Sequence, residues 1–127
     1  MPTLWPLAYR AGFGSTLAPV LDIHVSWGAR SVPLQALVDS GASTTLIPVR
    51  LVNDLGLRKI KESAVSGYDG RKERRGVYVV NLEFSGLMFL NRPVVAIPNR
   101  DYALVGRDIL NSHVTTLDGP RLELSIA

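Results

Sequence analysis

Apolar and polar residues alternate one for one in three separate stretches of this chain. Leu21, Ile23 and Val25 alternate with Asp22, His24 and Ser26; Val80, Leu82 and Phe84 alternate with Asn81, Glu83 and Ser85; Leu122, Leu124 and Ile126 recur at the same spacing near the end. A period of two puts the apolar set on one face of an extended strand, a pattern that a helix cannot bury. The stretches are bounded by Gly28-Ala29-Arg30, Gly67-Tyr68-Asp69-Gly70 and Asp118-Gly119-Pro120, residue types that supply the special φ angles of tight turns. A chain punctuated in this way is mainly β.

Between these landmarks, "VPLQALVD" predicts a strand returning from the Gly28 turn toward Asp39, "TTLIP" a short strand, and "LMFLNRPVVAIP" further strand. One short helix is expected in "VRLVNDLGLR", where Leu51, Val52 and Leu55 share a face and Gly56 is placed as the C-terminal cap. "GRDILNSH" predicts a second short helical turn. Residues 1–18, rich in Gly and Pro, read as an extended arm before a domain covering 19–127. Three roles are open for that arm: a removable pro-segment, an interface strand or a loose arm.

With 127 residues the chain makes one domain, too short for two lobes with a cleft between them. It has no cysteine, which excludes disulfides and thiolate metal sites, and its two histidines, His24 and His113, lack any metal-ligand spacing. Both histidines are expected to be structural or exposed. No metal and no cofactor are expected. The longest apolar runs fall far short of the ~20 residues that span a bilayer. The N-terminal stretch has no basic start before its apolar part, so a cytoplasmic location is expected. The net charge of +3 is concentrated in residues 58–75, which hold seven basic and three acidic residues. That segment has one aromatic residue, Tyr68, to stack on a base, so a solvated hairpin is the better reading than a nucleic-acid surface.

The chemistry points to Asp39. In "ALVDSGASTTLIP" three apolar residues lead into an aspartate followed by Ser-Gly, a carboxylate at the end of a buried strand. Acid–base work by carboxylates ordinarily needs two of them in different protonation states, and this motif supplies one. A faint internal echo accompanies it: "ALVDSG" at 36–41 and "ALVGRD" at 103–108 each run Ala-Leu-Val into a turn containing glycine.

"LVDSGAS", the glycine-tipped hairpin some thirty residues on and "ALVGRDIL", taken together over about residues 19–127, resemble the retropepsin-like aspartic proteases, the group of the retroviral proteases and their bacterial relatives. The resemblance implies a closed β-barrel or sandwich with one or two short helices, forming a half-sized subunit of a homodimer. It implies that Asp39 is catalytic with its counterpart in the partner chain, and that Ser40, Gly41 and Ala42 form the active turn. Gly41 would let the two active turns approach, and the Ser40 hydroxyl would tie one turn to the other's backbone. Residues 65–78 would be a flap over a peptide or protein substrate, with Gly67, Tyr68, Asp69 and Gly70 at its tip. Tyr68 would contact a bound peptide or cover apolar surface. Gly106, Arg107 and Asp108 would be structural support. In retroviral members the arginine pairs with an aspartate that here is Ser43, so Arg107 is expected to bond backbone carbonyls near the active turn instead. The alternative reading keeps the fold but not the chemistry: a catalytically silent module that dimerises and binds peptides.

Overall fold

The computed structural model describes residues 5–66 and 70–127. Ten strands and two short helices follow one another in the described chain. The first are β1 (Leu7–Ala8), β2 (Val20–Trp27), β3 (Arg30–Val38) and β4 (Leu46–Pro48), followed by α1 (Arg50–Asp54). Next come β5 (Lys61–Ser66), β6 (Lys72–Phe84), β7 (Leu87–Ile97) and β8 (Ala103–Val105), then α2 (Arg107–Leu110), β9 (Thr115–Asp118) and β10 (Glu123–Ile126).

The larger sheet runs in the order β2-β3-β8-β4-β7-β6-β5, and β2 also pairs with β6. That last pairing closes a six-strand barrel and removes the open edges that a flat sheet would expose. Alternation sets what fills it. Leu21, Ile23 and Val25 of β2 and Val80, Leu82 and Phe84 of β6 are all at most 2% exposed, whereas Asp22, His24 and Glu83 face outward. Each such side chain contributes roughly 1.5–3 kcal/mol of transfer free energy. Leu51 of α1 and Ile109 of α2 join the same core.

The helix around Leu51 is shorter than expected, and its stop is explained. Gly56 has φ +64, its N–H donates to the Asn53 carbonyl at 3.2 Å and the Leu57 N–H donates to the Val52 carbonyl at 2.8 Å. These two bonds are a Schellman motif, which satisfies the last carbonyls and ends the helix.

Three findings depart from the sequence reading. First, residues 7 and 8 form a strand where no regular element is expected: Leu7 pairs with Leu124 and Ala8 with Glu123. The arm is tied down further by mutual backbone bonds between Arg10 and Ala18, and by a two-point ion pair in which the Arg10 guanidinium donates to both Asp22 oxygens at 2.8 and 2.7 Å. Second, "RLELSIA", apolar on one face and without lysine or proline, is expected to leave an open edge that pairs with its copy in a partner chain, and the C-terminal strand is not an open edge. β10 lies between β1 and β9 in a three-stranded sheet, with Leu124 and Ile126 each 1% exposed, so it is part of the core, and β1 and β9 are the sheet's edge strands among the described residues. Third, Leu122 leaves the alternation. It sits in the turn before β10 at φ +53 and is exposed, because the turn runs two residues past Pro120.

Candidate active site

The two echoing segments meet. Ala36, Leu37 and Val38 of β3 pair with Ala103, Leu104 and Val105 of β8, residue for residue and in parallel. Parallel strands leave a sheet at the same end, so both turns that follow emerge side by side. Asp39, Ser40, Gly41 and Ala42 are thereby brought against Gly106, Arg107 and Asp108.

A dense set of hydrogen bonds locks the two turns together. The Asp39 N–H donates to the Val105 carbonyl at 3.0 Å and the Arg107 N–H donates to the Ala42 carbonyl at 2.8 Å. The Arg107 guanidinium donates to the Ser40 carbonyl at 2.9 Å, so with Ser43 in place of an acidic partner it serves the backbone of the turn. Asp108 does not pair with Arg107. Its carboxylate accepts from the Thr45 N–H at 3.0 Å, the Thr45 hydroxyl at 2.8 Å and the Ile109 N–H at 3.0 Å. Thr45 completes the ring by accepting the Gly106 N–H on its hydroxyl oxygen at 3.1 Å. It is the one buried polar residue among those described, and all its polar atoms here are engaged.

Thr45 is absent from the sequence-based site. In "TTLIP" it reads as part of a short strand, and only its complete burial distinguishes it.

Neither glycine of the site has left-handed φ; Gly106 is required by space, and Gly41 sits in a tight fit. A Cβ on Gly106 would lie 2.8 Å from the Thr44 carbonyl carbon and 2.9 Å from the Ala42 and Thr44 oxygens, all backbone atoms. A Cβ on Gly41 would lie 3.1 Å from Asp39 Oδ1. That oxygen accepts the Gly41 N–H at 2.9 Å, which fixes the orientation of the carboxylate within its own turn. Within the chain, therefore, Gly41 packs closely against the Asp39 carboxylate.

Asp39 is partly exposed and lines a cleft of about 910 Å³. One wall is the turn itself. The opposite wall is the hairpin of β5 and β6, in which Ser66 pairs with Lys72 and Lys61 with Val77, contributing Val65, Ser66 and Glu73. A third side is made by Ile97, Asn99 and Arg100, which follow from the end of β7. Gly70 has φ +76, in the left-handed region that glycine tolerates; Gly67, Tyr68 and Asp69 lie outside the described residues. The excess positive charge of the hairpin is partly balanced locally, since Lys59 and Arg74 both bond Glu62 and Arg75 bonds Glu73. His24 is exposed, and His113 meets the Phe89 ring edge-on at 5.3 Å. Among the described residues no group of three His, Cys, Asp or Glu could hold a metal ion. No helix among them is long and apolar enough to cross a membrane.

Residues 24–109 match the aspartyl protease family, and the chain belongs to it. The barrel is retropepsin-like. The fold is shared with the EIAV protease, solved with an inhibitor, at 24% identity over 80% of this chain and 93% of that one, with a TM-score of 0.60. It is shared as well with a retropepsin-like aspartic protease from Rickettsia conorii, at 16% identity over 85% and 88% of the two chains, with a TM-score of 0.59. In sequence the chain is also similar to Protein DNA-DAMAGE INDUCIBLE 1 of Arabidopsis thaliana, 29% identical over 106 residues. That match covers 80% of this chain but only 25% of the length of the Arabidopsis protein.

Proposed function

We propose that the protein is a homodimeric aspartic endopeptidase in which Asp39 and its copy in a second chain share the catalysis. The reading is carried by the position of Asp39, a partly exposed carboxylate, oriented by its own turn, in a cleft of about 910 Å³ between that turn and the β5–β6 hairpin. One carboxylate cannot act as base and acid at once, and two at about 3 Å hold a single proton between them. The ionised member takes a proton from water as the water oxygen bonds to the scissile carbonyl carbon. The protonated member hydrogen-bonds the carbonyl oxygen as negative charge develops there. Return of a proton to the amide nitrogen and breakage of the C–N bond then leave a carboxyl group and an amine. The flap, read as residues 65–78, closes over the substrate and holds it against the carboxylates and the attacking water.

A place for the second chain is suggested by the face beside the active turn. A pocket between Ser40, Arg107, Leu110 and Leu117 opens next to the edge of β9 that pairs with no strand among the described residues, and Leu117 is 47% exposed there. That edge carries no lysine or proline to block strand pairing.

The test is cleavage of a denatured protein, followed by mass spectrometry, with wild type and Asp39→Asn. Cleavage is expected from wild type and none from the variant, with folding and dimerisation retained. A folded wild-type dimer that cuts nothing from acidic to neutral pH would favour the silent peptide-binding module.

A further inference from the structure

The described lining of the cleft carries three guanidinium groups and two carboxylates: Arg71, Arg75, Arg100, Asp39 and Glu73. Glu73 and Arg75 bond each other, and Arg71 is engaged as well. Arg100 differs. Its neighbour in sequence, Asp101, is taken by Arg50, whose Nε donates to it at 2.8 Å. Among the described residues Arg100 has no carboxylate partner. Instead its guanidinium carbon lies 5.2 Å from the centre of the Tyr102 ring. Tyr102 is braced in turn by Phe13 of the N-terminal arm, edge-on at 4.8 Å and 78°. A guanidinium resting on an aromatic ring is held in place while its in-plane N–H donors stay free at the rim. A fixed, half-buried fork of donors in the wall of a peptide cleft is a receptor for a planar anion.

We infer that Arg100 selects substrates carrying an aspartate or glutamate side chain within a few residues of the scissile bond. This rests on the peptidase reading. It also gives the N-terminal arm a function: through Phe13 and Tyr102 it sets the position of a specificity residue. A peptide's terminal carboxylate has the same chemistry, but an endopeptidase seats the interior of a chain, so the side chain is the source proposed.

The experiment digests a proteome-derived peptide library with wild type and Arg100→Gln, and reads the cleavage sites by mass spectrometry. Acidic residues should be enriched at one fixed position for wild type and not for Arg100→Gln. In a synthetic peptide built on the best site, Glu→Gln at that position should lower kcat/KM about tenfold or more for wild type and hardly at all for Arg100→Gln. Amidating the peptide's C-terminus should change neither. Phe13→Ala should weaken the preference while leaving cleavage of neutral peptides. A wild-type profile without an acidic position, or one unchanged by Arg100→Gln, would overturn the assignment; sensitivity to C-terminal amidation instead of Glu→Gln would overturn the side-chain source. If wild type cleaves nothing, the peptidase reading fails by itself. Capture of the same library on immobilised Asp39→Asn protein, with and without Arg100→Gln, then decides the role of Arg100: acidic peptides enriched only with Arg100 support it, equal capture overturns it.

Discussion

Among the described glycines, replacing Gly106 by alanine should damage the site most. The new Cβ would stand 2.8 Å from the Thr44 carbonyl carbon and 2.9 Å from two backbone oxygens, where carbon contacts are comfortable at about 3.5–4.0 Å. None of the three neighbours is the end of a flexible side chain, so one of the two turns must back away by roughly half an ångström or more. Overpacking of this kind costs about 1–3 kcal/mol. The movement also stretches the bonds from Arg107 N–H to Ala42 at 2.8 Å and from Gly106 N–H to Thr45 at 3.1 Å, adding about 1 kcal/mol for each that is lost. With one of the two bonds lost the sum is about 2–4 kcal/mol, which corresponds to roughly 8–15 °C in Tm for a domain of this size. Gly119→Ala is the control, because a Cβ there meets nothing within 4 Å. Thermal and urea unfolding followed by circular dichroism read the difference. A Gly106→Ala protein within about 0.5 kcal/mol of wild type would refute the claim that the two turns are in enforced contact.

Two further outcomes follow from the same bonds. Thr45→Val, nearly equal in volume, should destabilise by about 1–3 kcal/mol in urea unfolding, because the buried Gly106 N–H loses its acceptor and Asp108 loses a donor. The second concerns pH. The hydrogen bond from Arg10 holds the Asp22 carboxyl below its ordinary value of 3.8. A lowered folded pKa contributes stability above the unfolded value that is lost as pH falls through the folded one, so the arm should loosen below about pH 4. With Asp22 70% exposed the effect is well under 1 kcal/mol. It should appear as faster exchange of the Ala18 amide, which bonds Arg10, and Asp22→Asn should remove the pH dependence.

The parts of this fold that were legible in the sequence are those where a local period reports a face. β2 and the end of β6 alternate because each has one wet side, and the Ala-Leu-Val echo marks two strands that lie in register. What was not legible depends on neighbours distant in the chain. The closing strand shows an apolar face, but nothing in "LELSI" says that β1 and β9 cover both its edges. Leu122 continues the spacing by coincidence and is claimed by the turn. At the site, Asp39 and the glycines announce themselves by type, whereas Thr45 is defined by complete burial and by partners more than sixty residues away. Arg100 looks like one more surface cation until Tyr102 and Phe13 are placed beneath it.

The sharing of one reaction by two Asp39 carboxylates is tested most directly by mixing subunits. Wild-type and Asp39→Asn chains are refolded together in varied proportion at constant total concentration, and peptidase activity is measured against the wild-type fraction. If each active unit needs two intact chains, activity follows the square of that fraction, and an equal mixture retains about a quarter of wild-type activity. Activity that falls linearly, to half in the equal mixture, would mean that one chain carries the whole catalytic apparatus and would contradict the account.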